Sequence, residues 1–133
     1  MAMAPTFAAI GLAVADMEKS LAFYRRLGLD IPSGAGDAPH AEVTLPNGVR
    51  LMWDPYETIR SFHPGFSPAA GDSRVSLAFA CDDPADVDRT HSALVAAGYR
   101  SHLEPWDAVW GQRYGVVLDP DGNNVELFAP LPT

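Results

Sequence analysis

The hydrophobic pattern divides the chain into short apolar stretches separated by turn residues. From Thr6 to Ala15 the positions are alternating and mostly apolar, which predicts a strand. Asp16 then stands as a helix N-cap. Leu21, Tyr24 and Leu27, at three-residue spacing, predict a helix over about 17–27 with one apolar stripe. Gly28 sits where a C-cap glycine stops such a helix. A loop rich in Gly, Pro and Ser covers 32–39. Next, Pro46-Asn47-Gly48 joins two strands, His40 to Leu45 and Val49 to Trp53, as a hairpin. The stretch 54–73 mixes aromatics and prolines with no clean period. It reads as a long loop holding at most a helical turn, and loops of this length are often functional.

The same order then repeats. A strand is expected over 74–81, and Asp83-Pro84 supplies an N-cap with proline at the first helical position. A helix over about 85–97 ends at Gly98, with strands near 99–104 and 112–118. Asp119-Pro120-Asp121-Gly122 makes a turn before a last strand over 124–128. Asp16 corresponds to Asp83, Gly28 to Gly98 and Gly48 to Gly122, so the chain is internally duplicated. A half of about 65 residues buries too little surface to be comfortable alone, so the halves should pair. The expected organisation is one domain over 1–133, with module one at about 5–55, a linker at 56–72 and module two at 73–131.

Composition narrows the functional classes. The 133 residues carry a net charge of −8, with one lysine, Lys19, and eight scattered arginines. Phosphate-backbone binding rests on clustered basic residues, so nucleic acid and anionic membrane surfaces are poor partners. No run approaches the roughly 20 apolar residues of a spanning helix. The N-terminus lacks the basic start and apolar core of a signal peptide. The one cysteine, Cys81, cannot form an internal disulfide, which fits a reducing cytoplasm. It reads as a small buried hydrophobe rather than a nucleophile, with no histidine at a recognisable spacing to activate it.

Several short motifs share one order. They are Ile10-Gly11-Leu12-Ala13-Val14-Ala15-Asp16, Ser20-Leu21-Ala22-Phe23-Tyr24 and Leu27-Gly28-Leu29 in the first half. The second half holds Leu77-Ala78-Phe79 before Asp82-Asp83, then Trp110-Gly111-Gln112-Arg113-Tyr114, Asp119-Pro120-Asp121-Gly122-Asn123 and Glu126-Leu127. Together they resemble the vicinal oxygen chelate superfamily of glyoxalase I, extradiol dioxygenases, fosfomycin-resistance enzymes and bleomycin-resistance proteins. The resemblance covers nearly the whole chain. It implies an α+β fold of two βαβββ modules forming a curled mixed sheet, a cup. It also implies a homodimer, with ligands in the cups, often near the dimer interface.

Enzymes of that superfamily hold a divalent metal with His and Glu on the cup-facing strands. The first ligand stands seven residues before the Asp that caps the first helix, and here that position is Ala9. The matching position in the second half is Ser76, and the last ligand position is Glu126. Aligning Trp53 with Phe128 places Leu51 opposite Glu126. Alanine and leucine side chains coordinate no metal, and a neutral serine hydroxyl is a poor companion for one carboxylate. No metal and no cofactor is therefore expected.

What remains for the cup is its aromatic inventory. Trp53, Trp106 and Trp110 flank loops, Tyr56 lies in the long central loop, and Tyr114 and Phe128 lie on late strands. Such rings offer stacking faces at small entropic cost, although part of them must fill the core. Glu126 and Arg113 are the polar candidates for fixing a ligand, and Arg113 alternatively pairs with Asp107 or Glu126. The residues His40, Glu42 and Thr44 share one side of their strand. The reading that follows is metal-independent binding of a small aromatic or planar compound, of the drug- or natural-product-resistance type. The alternative is a lyase, isomerase or dioxygenase with an atypical metal site or with Glu126 as acid/base. A third possibility is a divergent module with a partner-binding task and a filled cup.

Overall fold

The computed structural model describes residues 4–133. The chain divides into two compact units, Met1–Ala69 and Ala70–Thr133. It is an α+β fold of two βαβββ-type modules, each a small mixed sheet carrying a helix.

In unit 1, β1 (Ala9–Val14) is followed by α1 (Met17–Arg26), a 3-10 turn (Ala35–Asp37), β2 (Ala41–Thr44), β3 (Arg50–Pro55) and α2 (Tyr56–Phe62). The sheet order is β1-β3-β2, with β1 parallel and β2 antiparallel to β3. The 3-10 turn stands where the second unit has an extra strand, so the first sheet is one strand narrower. Asp16 caps α1, accepting the Lys19 N–H at 3.0 Å, and Gly28 leaves the helix at φ +93°. The predicted first strand is trimmed at its N-terminal end. Helix α2 occupies part of the stretch expected as a long loop.

Strand alternation sorts the unit 1 side chains onto two faces. Register pairs Leu12 with Trp53 and Ala41 with Trp53, which puts Leu51, Trp53, Ala41 and Val14 on the buried face. There the Tyr24 ring of α1 lies 5.6 Å from the Trp53 indole. Ala9, Gly11 and Ala13 share the opposite face with Arg50, Met52 and Asp54.

Unit 2 has the full order: β4 (Ser76–Ala80), α3 (Pro84–Ala96), β5 (Ser101–Asp107), β6 (Gln112–Leu118) and β7 (Asn124–Pro130). Its sheet runs β4-β7-β6-β5. Asp83 caps α3 by accepting the Asp86 N–H at 2.8 Å, with Pro84 in the first turn. Val117, Val125, Leu127 and Ala129 are fully buried on the helix-covered face, with Val87 and Leu94 of α3. Strand β5 pairs irregularly with β6, with register shifts either side of Leu103. A Cβ at Gly115 would stand 3.3 Å from the Leu103 carbonyl and from Pro105, so the close approach of β5 there favours glycine.

Candidate functional site

The open face of the unit 2 sheet carries the best-formed candidate. Trp106 of β5 pairs with Tyr114 of β6, and Tyr114 pairs with Phe128 of β7. Directly opposed residues of neighbouring strands project to the same side, so the three rings form one row across the sheet. Trp110, from the turn before β6, meets the row edge-on. Its centroid is 5.8 Å from Trp106 at 90° and 5.3 Å from Tyr114 at 78°. The Trp110 indole N–H donates to Gln112 Oε1 at 2.8 Å, which fixes the ring. Trp106 remains 41% exposed and Trp110 57%, so both retain unspent apolar area.

Beside the row, Glu126 sits diagonal to Tyr114 on the same face. Partial burial first, then the nearby Glu126 carboxylate, pushes the Tyr114 phenol above its usual range, so it stays protonated. Strand β4 lies next to β7 in register Ser76–Asn124, Ala78–Glu126 and Ala80–Phe128. Its three open-face side chains are small and exposed, leaving Glu126 and Phe128 uncovered on that flank. This small-residue shelf escaped the sequence reading because its signal, alternation in 76–80, says nothing about neighbouring strands.

Five of the eight expected ligand residues thus meet on one face: Trp106, Trp110, Tyr114, Glu126 and Phe128. Arg113 does not join them. It follows the odd positions of β6 onto the helix side, where its guanidinium holds Asp88 of α3 at 2.7 Å. Its Nε also donates to Asp107. These two carboxylates raise the Arg113 pKa further, and the pairing with Asp107 is the structural alternative foreseen for it. Trp53 lies in unit 1, 0% exposed, in mid-strand rather than at a loop edge. Its place against Tyr24 makes it a core side chain, a correction to the pocket role expected of it. Tyr56 opens α2 and packs at a tilt against Phe66, with centroids 5.5 Å apart and the Arg60 guanidinium 5.6 Å above its ring. It belongs to that unit 1 cluster and not to the aromatic row. Burial, with the charges of Asp86, Asp82 and Asp83, raises the Cys81 pKa, which keeps the thiol protonated and a weak nucleophile.

The open face of unit 1 is ionic. His40 Nδ1–H donates to Asp54 at 2.6 Å and its Nε2–H to Glu42 at 2.8 Å. Arg50 Nη1 donates to the other Glu42 oxygen at 3.0 Å. The Asp54 and Glu42 hydrogen bonds raise the His40 pKa above 6.5, favouring the imidazolium. The same contacts, with Arg50, lower the Glu42 pKa. Alternation pointed to His40 and Glu42 on one side; Arg50 and Asp54 were missed because they come from the partner strand.

The sequence model of the Glyoxalase/Bleomycin resistance protein/Dioxygenase superfamily matches residues 6–127. The chain belongs to this superfamily. Among solved structures it is similar to a glyoxalase/bleomycin resistance protein/dioxygenase from Nocardioides, at 27% identity and TM-score 0.75, covering 98% of this chain and 87% of that one. It is also similar to a family enzyme from Burkholderia phytofirmans, at 19% identity and TM-score 0.81, covering 96% and 100%. A glyoxalase-related enzyme from Fulvimarina pelagi matches at 23% identity and TM-score 0.78, covering 93% and 87%. None of the curated proteins matches the chain. No helix among the described residues is long and apolar enough to cross a membrane.

Membership in the glyoxalase superfamily raises the question of its metal, and the donor set answers it. In unit 2 the strand positions implied for ligands are Ser76 and Glu126. In unit 1 they are Ala9 and, by register, Met52. Both parallel pairs are offset alike: Gly11 faces Met52 as Ala78 faces Glu126. This corrects the expected equivalence of Leu51 with Glu126, since Leu51 lies on the helix-covered face. Neither pair suits a hard divalent ion: unit 1 offers a methyl and a thioether, and unit 2 a neutral hydroxyl with one carboxylate. Among the described residues no group of three or more His, Cys, Asp or Glu is placed to hold one.

Proposed function

We propose that the protein binds a small aromatic or planar compound without a metal, on the open face of unit 2. The observation that carries this reading is the in-register row of Trp106, Tyr114 and Phe128, buttressed edge-on by Trp110. Partly exposed rings held rigid by strand pairing and by the Trp110–Gln112 hydrogen bond lose little entropy when a planar ligand stacks on them. Glu126 adds an acceptor for a ligand N–H or O–H, and the small shelf of Ser76, Ala78 and Ala80 leaves the approach open. Sequestration of a drug or natural product by a homodimer is the task this assigns, and sedimentation equilibrium checks the dimer. Tryptophan fluorescence and melting temperature, read against a panel of planar aromatic compounds, test the binding. A panel that moves neither sinks the proposal.

The Tyr114–Glu126 pair favours a second reading, metal-free acid–base catalysis by a lyase or isomerase with Glu126 as the base. Turnover abolished by Glu126→Gln, with stacking affinity retained, selects it over binding alone.

A further inference from the structure

The same open face continues past Glu126 to a polar end. Leu118 of β6 pairs with Asn124 of β7, at the same alternation as Tyr114 and Phe128, so both project from the open face. Around them lies a cavity of about 160 Å³, lined among others by Asp72, Ser73, Arg100, His102 and Asn124. Arg100, just before β5, also lines a neighbouring cavity of about 140 Å³ with Tyr99 and Asp119.

The charges around Arg100 are unevenly committed. Its guanidinium makes no hydrogen bond or ion pair with any described residue. Asp119, the nearest candidate in sequence pairing, spends its carboxylate on its own turn. It accepts from the Asp121 N–H at 2.9 Å, the Asn123 N–H at 2.9 Å and the Asn123 side-chain amide at 3.0 Å. The Ser73 hydroxyl is engaged with the Val75 carbonyl. That leaves Arg100, His102 and Asn124 as uncommitted donors among the residues lining one cavity, with the exposed Asp72 also in the lining. Arginine's planar fork suits a carboxylate or phosphate above other partners. The chain's net charge of −8 opposes anions at long range, but screening over about 8 Å at physiological salt leaves the local donors to decide.

We propose that this cavity is an oxyanion subsite, taking the carboxylate or phosphate of an elongated ligand whose aromatic body lies on Trp106, Tyr114 and Phe128. It rests on the binding reading above for the aromatic half. From Phe128 to Asn124 the strand advances four residues, roughly 13 Å at ~3.3 Å each, with Glu126 midway. The ligand class is thus a planar aromatic joined by a linker to an anionic group, with a hydrogen-bond donor near its middle.

The test begins with the oxyanion alone. Inorganic phosphate and acetate are titrated into the intact protein against sodium chloride of matched ionic strength, followed by amide and imidazole NMR signals. Saturable shifts at His102 and Asn124, weakened about tenfold in Arg100→Ala and partly restored in Arg100→Lys, are expected for a charge-assisted contact. Arg100 is exposed, so the variant keeps its fold. Shifts that chloride reproduces, or that Arg100→Ala leaves intact, overturn the subsite. A second arm compares a naphthyl-alkanoate with its methyl ester by tryptophan fluorescence. The acid binding tighter than the ester in the native protein, but not in Arg100→Ala, supports the joined site. Equal binding of both, without a phosphate response, removes the subsite and leaves the aromatic reading standing. Phosphate saturation without binding of either naphthyl compound removes the aromatic reading instead.

Discussion

Arg113 grips Asp88 through one nitrogen, with Nη1 at 2.9 and 2.7 Å from the two carboxylate oxygens, and so ties β6 to α3. Tyr114, the next residue, projects to the other side of the sheet and joins the aromatic row. One strand therefore serves packing with its odd positions and the candidate site with its even ones. Replacing Arg113 by alanine leaves Asp88 and Asp107 facing each other without their cation. The melting temperature is expected to fall by a few degrees, with affinity for an aromatic ligand unchanged. A loss of affinity at unchanged stability would place Arg113 in the site after all.

Trp106→Ala removes the edge-to-face partner of Trp110 and one end of the row. Such ring contacts are worth ~0.5–1.5 kcal/mol, so affinity for a planar ligand should drop roughly two- to twelvefold. Tyr114→Phe keeps the ring and loses only the hydroxyl near Glu126, so its effect is expected to be smaller. Titration of both variants by fluorescence from the remaining tryptophans orders them.

Trp53 and the two surface tryptophans report on different places. Trp53 is sealed against Tyr24, while Trp106 and Trp110 are partly exposed. Iodide should quench part of the emission and leave a blue-shifted remainder. In Trp53→Phe that remainder disappears while ligand-induced changes persist. Trp53→Ala, a large-to-small change in the core, should cost ~3–5 kcal/mol in denaturant unfolding.

His40 supplies a pH dependence with a definite sign. Its folded-state pKa is raised above 6.5 by hydrogen bonds to Asp54 and Glu42. A raised value means that the folded state holds the proton more tightly. The resulting stabilisation is complete below the ordinary histidine value and is lost as pH rises through the folded-state value. The charged groups in contact with it or with its partners are Asp54, Glu42 and Arg50. The melting-temperature difference between the native protein and His40→Gln should therefore be largest below the ordinary histidine value and shrink as the pH rises above it. Because the network is largely exposed, added salt should shrink it as well.

Local chemistry made much of this molecule legible in one dimension. Asp16 and Asp83 as caps, Gly28 and Gly48 at positive φ, and β6 over Gln112–Leu118 all follow from residue type and spacing. So does the internal repeat, because each half must rebuild the same strand, helix and hairpin. The gathering of Trp106, Tyr114 and Phe128 was only half legible. Trp106 is recognisable as an aromatic beside a loop, and Tyr114 and Phe128 as aromatics on late strands, but a shared row depends on which strands pair and in what register.

Tertiary structure decided the rest, through two properties that a sequence does not carry. The first is register: a slip of one residue exchanges the faces of a strand. Aligning Trp53 with Phe128 made that slip, assigning Leu51 a position that Met52 occupies. The second is which face the helix covers. It makes Trp53 a core residue and Trp106 a surface one, although both are tryptophans on strands. It also sends Arg113 to Asp88. By itself the sequence determined the elements, their duplication and the residues available for chemistry. Pairing and packing determined which of those residues meet, because burial is settled by the surfaces that close over a side chain rather than by the side chain alone.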